Sequence, residues 1–322
     1  MNPNVDATIS ALRAAAASPT APAPSVAPMV SRAHPWPAWP TGPIGPLPFV
    51  PPVEASALLG AIAEDELVLH HQPIVDLRTG RTVEVEALVR WQHPERGLLG
   101  PGTFVPQAEI SGEVVDLGRW VFDTGCRQLR RWRDEGVAQD LVLAVNVSPR
   151  QLDEPSLVDD VLDALDRHGL PPDALVLEIT EGLPVRQGSG ALVRIGDLRA
   201  HGLGIAVDDF GTGHSWIGSV RRFGIEVLKI DRSFVAQIGT PGGTELMSAM
   251  IDLGRAVGAR VVAEGIETQA QLDLLTSLGC DLGQGFFLAR PMAAAEVAAR
   301  LAEELRPPRR LDVGHRRGLR AV

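Results

Sequence analysis

Between residues 67 and 288 the chain alternates short β-branched or aliphatic runs with stretches of helical periodicity. No other feature narrows the fold as much. The apolar runs cover residues 67–75, 83–91, 141–147, 175–179, 204–207, 227–230, 260–263 and, less sharply, 283–288. Candidate helices lie at 117–135, 156–168, 191–200, 245–257, 270–278 and 294–304. In 156–168 the residues Leu157, Val158, Val161, Leu162 and Leu165 form an apolar stripe, and Gly169 stands where a helix C-cap is expected. Strands that alternate with helices build a parallel sheet, because a parallel neighbour needs a crossover connection. Eight strands in roughly 230 residues suit a closed (β/α)8 barrel of the TIM type better than an open sheet. One connection departs from that plan. Asp76-Leu77-Arg78-Thr79-Gly80-Arg81 is too short for a helix, so it reads as a hairpin and sets the first strand antiparallel to the second.

The two ends of the chain differ from this middle. Half of the 26 prolines fall within the first 52 residues. Residues 1–55 are therefore expected to be a disordered Pro/Ala-rich arm, since such a tract favours extended conformations and cannot build a core. Trp36 and Trp39 within it are either a docking motif for a protein partner or incidental linker aromatics. Residues 306–322 hold six arginines against one aspartate and read as a solvated basic tail. The domain proper is expected at 56–305. A formal net charge of −10 argues against general binding to nucleic-acid backbone, so neither DNA nor RNA is expected as a partner. Cys126 and Cys280 stand far apart without disulfide or zinc spacing. No signal-peptide core and no apolar run of about 18 residues is present, which sets the expectation of a cytoplasmic protein without a transmembrane segment.

In such a barrel the C-terminal strand ends converge on the active site. The polar residues there are Glu86, Asn146, Glu178 with Glu181, Asp208 with Asp209, Lys229 with Asp231, Glu264 with Glu267, and Gln284. Several directly follow or interrupt apolar strands, where an unpaired charge is costly. So many oxygen donors aimed at one place repel one another unless cations lie between them. Oxygen ligands without clustered His or Cys suit a hard ion, Mg2+ or Mn2+, rather than Zn2+. Adjacent aspartates allow one to bridge two ions, and two ions clamp the attacking and leaving oxygens of an in-line displacement. Structural readings stand beside these: Asp208 or Asp231 as ion-pair partner of Lys229, Asp209 as a turn cap, Asn146 as a loop hydrogen-bonder.

The chain also resembles a known family. Gln72-Pro-Ile-Val75, Glu86-Ala-Leu-Val-Arg-Trp91, Asn146-Val-Ser148, Glu178-Ile-Thr-Glu181, Asp208-Asp-Phe-Gly-Thr-Gly213, Lys229-Ile-Asp231, Ala263-Glu-Gly-Ile-Glu-Thr268 and Gln284-Gly285 are similar, in order, to the EAL domain of cyclic-di-GMP phosphodiesterases. The resemblance implies a modified TIM-type barrel with an antiparallel first strand. It also implies two ions, Mg2+ or Mn2+: one held by Glu86, Asn146, Glu178 and Asp208, the other by Asp208, Asp209 and Glu264. Lys229 would position the attacking water, with Asp231, Glu267 and Gln284 in support and Glu181 steadying the loop after Asp209. Gln72, Leu88 and Arg90 would contact the dinucleotide, Arg90 through phosphate. The implied reaction is hydrolysis of cyclic-di-GMP to linear pGpG. A non-catalytic receptor for the same ligand and a different Mg2+-dependent barrel enzyme are the alternatives. Family members often form homodimers. One departure stands in the loop that couples metal binding to dimer contacts: the family usually continues Gly-Thr-Gly-Tyr-Ser-Ser-Leu, whereas this chain has His214 and Trp216.

Overall fold

The structure is a computed structural model that describes residues 57–181, 190–212 and 224–306. The Pro-rich arm, the basic tail beyond Arg306, and His214 and Trp216 lie outside the described residues.

The described residues form ten strands: β1 (Leu67–Asp76), β2 (Thr82–His93), β3 (Gly97–Leu99), β4 (Val142–Asn146), β5 (Leu175–Thr180), β6 (Gly204–Phe210), β7 (Val227–Ile230), β8 (Arg260–Ala263), β9 (Leu282–Gly283) and β10 (Met292–Ala293). Eight of them close a barrel in the order β1-β2-β4-β5-β6-β7-β8-β9, with β9 returning to β1. β3 and β10 pair on its rim with β2 and β1. The expected departure is real. β1 runs antiparallel to both of its barrel neighbours, and every other neighbouring barrel pair is parallel. The turn that reverses the chain is held by the backbone bonds Gly80 N–H to Asp76 O and Asp76 N–H to Arg81 O, and by Thr79 N–H to the Asp76 carboxylate.

Two apolar layers stabilise the barrel. The inner one is small and aliphatic: Ile74, Val176, Ala206, Val227, Val262 and Leu282. The outer one lies between strands and helices and carries the bulk, including Phe122, Leu129 and Trp132 from the helix Val114–Asp134, with Ile195 and Met247 from later helices. Side chains two apart on a strand share a face. Val176, Ala206, Val227, Val262 and Leu282 therefore place Glu178, Asp208, Lys229, Glu264 and Gln284 on the same inward face, one step nearer the C-terminal strand ends. The inner aliphatic layer is thus the floor on which the polar site rests.

The helices match the periodic stretches with ends moved by at most three residues; 117–135 begins earlier, at Val114, and 294–304 is unchanged. Gly169 takes φ +60 after the helix Leu157–Arg167, as a C-terminal glycine should. Four short helices, Ala57–Ala63, Val105–Ser111, Pro149–Asp153 and Arg232–Val235, and strand β3 were too brief to leave a periodic signal. Pro149–Asp153 starts on a capping box, in which Ser148 Oγ accepts from Gln151 N–H and Gln151 Oε1 accepts from Ser148 N–H.

The run at 283–288 is a correction. Only Leu282–Gly283 is strand, because the chain turns back over the end of β8. Gln284 N–H donates to Ala263 O, Ile266 N–H to Gln284 O, and Phe287 N–H to Ile266 O. That crossing requires Gly285: a Cβ there would lie 2.2 Å from the backbone N and O of Ile266. Gly285→Ala is expected to lower stability by about 1–3 kcal/mol or more, the usual range for forced overpacking. Urea unfolding checks this through the midpoint, and an unchanged midpoint would show that the crossing has slack.

Candidate functional site

Lys229, on β7, is the hub of the site. It is 1 % exposed, and its Nζ lies 2.8 Å from Glu264 Oε1, 2.9 Å from Glu178 Oε1, 3.2 Å from Asp208 Oδ1 and 3.7 Å from Glu86 Oε2. Of the two ion pairs open to Lys229 in the sequence, the structure forms the one with Asp208 and none with Asp231. Asp231 instead caps the short helix Arg232–Val235, accepting from Ser233 N–H.

Glu86 is held from both sides by amides. Asn146 Nδ2 donates to Oε1 at 2.7 Å, and Gln284 Nε2 donates to Oε2 at 2.7 Å. Gln284 Nε2 also donates to Gln72 Oε1, and Gln72 Nε2 donates to Ala289 O. The antiparallel β1 sets Gln72 directly opposite Glu86 in register. These bonds fix one carboxylate of the ring and join its first and last strands.

Consecutive residues on a strand point to opposite faces, so Asp208 and Asp209 should not both reach the site. The β6–β7 register shifts between Val207 and Phe210, and Asp209 takes φ +56. This bulge brings carboxylate oxygens of Asp208, Asp209 and Glu264 within 4.8 Å of one another. A left-handed non-glycine residue costs of order 1–3 kcal/mol, which the surrounding contacts must offset. Glu181 contributes here. Its Oε2 accepts from Gly211 N–H at 2.8 Å, and its own N–H donates to Asp208 O.

Charge at the site is unbalanced. Burial alone would pull Lys229 down, but Glu178, Glu86, Glu264 and Asp208 together outweigh it and hold its ammonium well above the usual lysine range. Burial pushes Glu178 well above the usual carboxylate range despite Lys229. Burial also takes Glu264 up to about 7, with repulsion from Asp208 and Glu86 adding to it. Asp209 is raised by burial and then by Asp208 and Asp231. Glu86 goes the other way, because Lys229 and the two amides outweigh its burial. One ammonium does not neutralise this many carboxylates. Neither oxygen of Glu178 nor Oδ1 of Asp208 has a well-angled hydrogen bond among the described residues, although Oε1 and Oδ1 lie close to Nζ. Buried, under-bonded carboxylate oxygens with excess negative charge fit hard divalent cations.

A cavity of about 240 Å3 opens above the ring, and its lining includes Gln72, Asp208, Lys229, Glu264, Glu267 and Gln284. Leu88 and Arg90 do not line it; they continue β2 toward the rim, half-buried, with Arg90 Nη1 donating to Val89 O. Residues that the sequence reading missed, Arg232, Gly265 and Phe286, do line it. Arg232 and Gly265 each sit beside a recognised acid, at Asp231 and Glu264, and this adjacency was their only signal. A larger cavity of about 390 Å3 lies at the opposite end of the barrel, between the β1–β2 turn and residues 136–141, without any of the ring carboxylates.

Comparisons with known proteins agree with this geometry. The EAL domain family matches residues 55–291. The chain is 45% identical over 243 residues to the bifunctional diguanylate cyclase/cyclic di-GMP phosphodiesterase MucR of Pseudomonas aeruginosa, covering 75% of this chain and 35% of that protein. It is 39% identical over 236 residues to the cyclic di-GMP phosphodiesterase NbdA of the same organism, covering 73% and 30%. The chain thus spans about a third of the length of these relatives. A solved structure described as the PaMucR phosphodiesterase in complex with c-di-GMP superposes with TM-score 0.71 at 45% identity, covering 74% of this chain and 97% of that one. The EAL domain of Mycobacterium smegmatis DcpA superposes with TM-score 0.63 at 37% identity, covering 76% and 99%. No helix among the described residues is long and apolar enough to cross a membrane. On barrel topology, strand-end carboxylates and the extent of these matches together, the chain belongs to the EAL domain family.

Proposed function

We propose that residues 56–305 form a metal-dependent phosphodiesterase that hydrolyses cyclic-di-GMP to linear pGpG. One observation carries this reading: Asp209 converges with Asp208 and Glu264, two of the four carboxylates that share the ammonium of Lys229. Glu86, Asn146, Glu178 and Asp208 are the ligands proposed for one Mg2+ or Mn2+, and Asp208, Asp209 and Glu264 for a second. Two such ions would polarise the phosphodiester and stabilise charge on the attacking and leaving oxygens. The chain's own residues do the remaining work. Lys229 orients the water nucleophile and offsets phosphate charge from the floor of the cavity. Asn146 and Gln284 hold Glu86 in place, and Gln72 ties that group to the closing turn. Glu181 steadies the backbone beyond Asp209 through Gly211. Glu267 lines the same cavity as Lys229 and is proposed to support it, while Asp231 fixes the turn after β7. Leu88 and Arg90 are proposed to meet the dinucleotide above the rim. A homodimer and a protein partner for the Pro-rich arm belong to the same proposal.

Purified protein with Mg2+ or Mn2+ is expected to convert cyclic-di-GMP to pGpG, followed by chromatography, and excess EDTA is expected to stop it. Tight binding without product in either metal would favour a receptor over an enzyme. No binding at all would remove both readings.

A further inference from the structure

Two cations line the cavity above the carboxylate ring, and they differ in what they are free to do. Lys229 is buried and shared among four carboxylates. Arg232 is exposed, and its guanidinium forms no hydrogen bond or ion pair with another described residue. Its position is nevertheless built. Gly265, at φ +70, leaves room for the Arg232 stem: a Cβ at 265 would lie 2.4 Å from Arg232 Cβ. The turns that follow β7 and β8 therefore touch at this arginine. The Asp231 cap on Ser233 N–H fixes the turn from its other side. Arg232 is also close enough to Asp209 to offset part of the repulsion there.

The rest of the charged wall is acidic: Glu86, Asp208, Glu264 and Glu267. An anionic ligand entering this cavity meets repulsion at its mouth unless a cation stands there. Arg90 does not line the cavity. A guanidinium offers paired donors that match the oxygens of a phosphate. We propose that Arg232 is a phosphate-binding residue, which takes non-bridging oxygens of a phosphodiester of the incoming dinucleotide at the rim of the cavity. This rests on the reading of the site as one for cyclic-di-GMP.

Steady-state kinetics of the full chain with cyclic-di-GMP, at saturating Mg2+ and over a range of NaCl concentrations, test it with Arg232→Gln and Arg232→Lys. Arg232→Gln is expected to raise KM roughly tenfold, as loss of a charged hydrogen bond at a partly exposed site should, while kcat stays within about threefold. Its kcat/KM should also depend less steeply on salt. Arg232→Lys should recover part of the KM. An unchanged melting temperature for both variants would confirm that the fold is intact. A KM within about twofold of the parent for Arg232→Gln overturns the proposal. So does an unchanged KM with a raised Mg2+ requirement, which would place the action of Arg232 on Asp209 instead. If the parent binds cyclic-di-GMP without cleaving it, calorimetric Kd values replace KM with the same expected ratio. If the parent neither binds nor cleaves it, the functional reading itself fails. If the parent cleaves it and Arg232→Gln behaves like the parent, only the role of Arg232 fails.

Discussion

Lys229→Ala is expected to lower kcat for cyclic-di-GMP by roughly 10^2–10^4-fold, the range that a positioned acid–base or charge-stabilising group commonly supplies. The argument starts from burial. Nζ is fully enclosed and touches four carboxylates, so no neighbouring cation can take its place. The same contacts predict a second, separable effect. Removing one partner of a buried ionic cluster leaves uncompensated charge and costs about 3–5 kcal/mol. That loss should be largest in EDTA and smaller in excess Mg2+, because bound cations stabilise the folded state by mass action. Thermal melts of parent and variant in both conditions measure it. Glu86→Ala should also abolish most activity, since it strands the amide donors of Asn146 and Gln284. Turnover by Lys229→Ala within about tenfold of the parent would remove the lysine from the proposed chemistry.

The second large effect is loss of stability in acid through His71. This residue is 1 % exposed on β1, its ring edge-on to Trp132 with centroids 4.9 Å apart. Neither ring nitrogen has a hydrogen-bond partner among the described residues. Burial, with a smaller contribution from His70, takes its pKa from an ordinary 6.5 down to about 4. Above pH 6.5 the ring is neutral in both the folded and unfolded chain, and its contribution is constant. Between 6.5 and 4 the unfolded chain binds a proton that the folded chain does not, so stability falls as pH falls. The full loss is about 3 kcal/mol, at 1.36 kcal/mol for each pKa unit. Other groups titrate in this window, so the readout is a difference of differences. Denaturant unfolding of parent and His71→Phe at about pH 7.5 and pH 4.5 should show the variant losing about 2–3 kcal/mol less than the parent on acidification. Equal losses would show that His71 is protonated in the folded state at a cost much lower than its burial implies.

Much of this architecture was legible in the chain because it depends on local periods. Strand and helix alternation gave the barrel, the six-residue link at residues 76–81 gave the reversed first strand, and the C-terminal strand ends placed most ring carboxylates. Features that depend on distant contacts were not legible. The bulge that turns Asp209 toward Glu264 has no local signature, since a left-handed aspartate reads the same as an extended one. The last strand was overestimated because Phe286, Phe287 and Leu288 are as apolar as a strand, and the turn they form is set by close passage over Ile266. Leu88 and Arg90 follow the alternation of β2, yet that strand runs on past the barrel rim and leaves the cavity behind. Lys229 was recognised, but its four simultaneous partners come from three other strands and the turn after β8.

The hydrogen bonds that link Gln72, Glu86 and Gln284 span almost the whole barrel in sequence, the two glutamines being 212 positions apart. During synthesis, Glu86 leaves the ribosome long before β9 and Gln284, the residue that follows it. Until then β1 lacks its second neighbour and the ring lacks one of the amides that restrain it. Pairings of this separation form late and slow folding. A nascent chain that ends before β9 would carry every proposed metal ligand without closing the barrel around them. The proposed chemistry would therefore have to wait until β9 docks against β1 and closes the barrel.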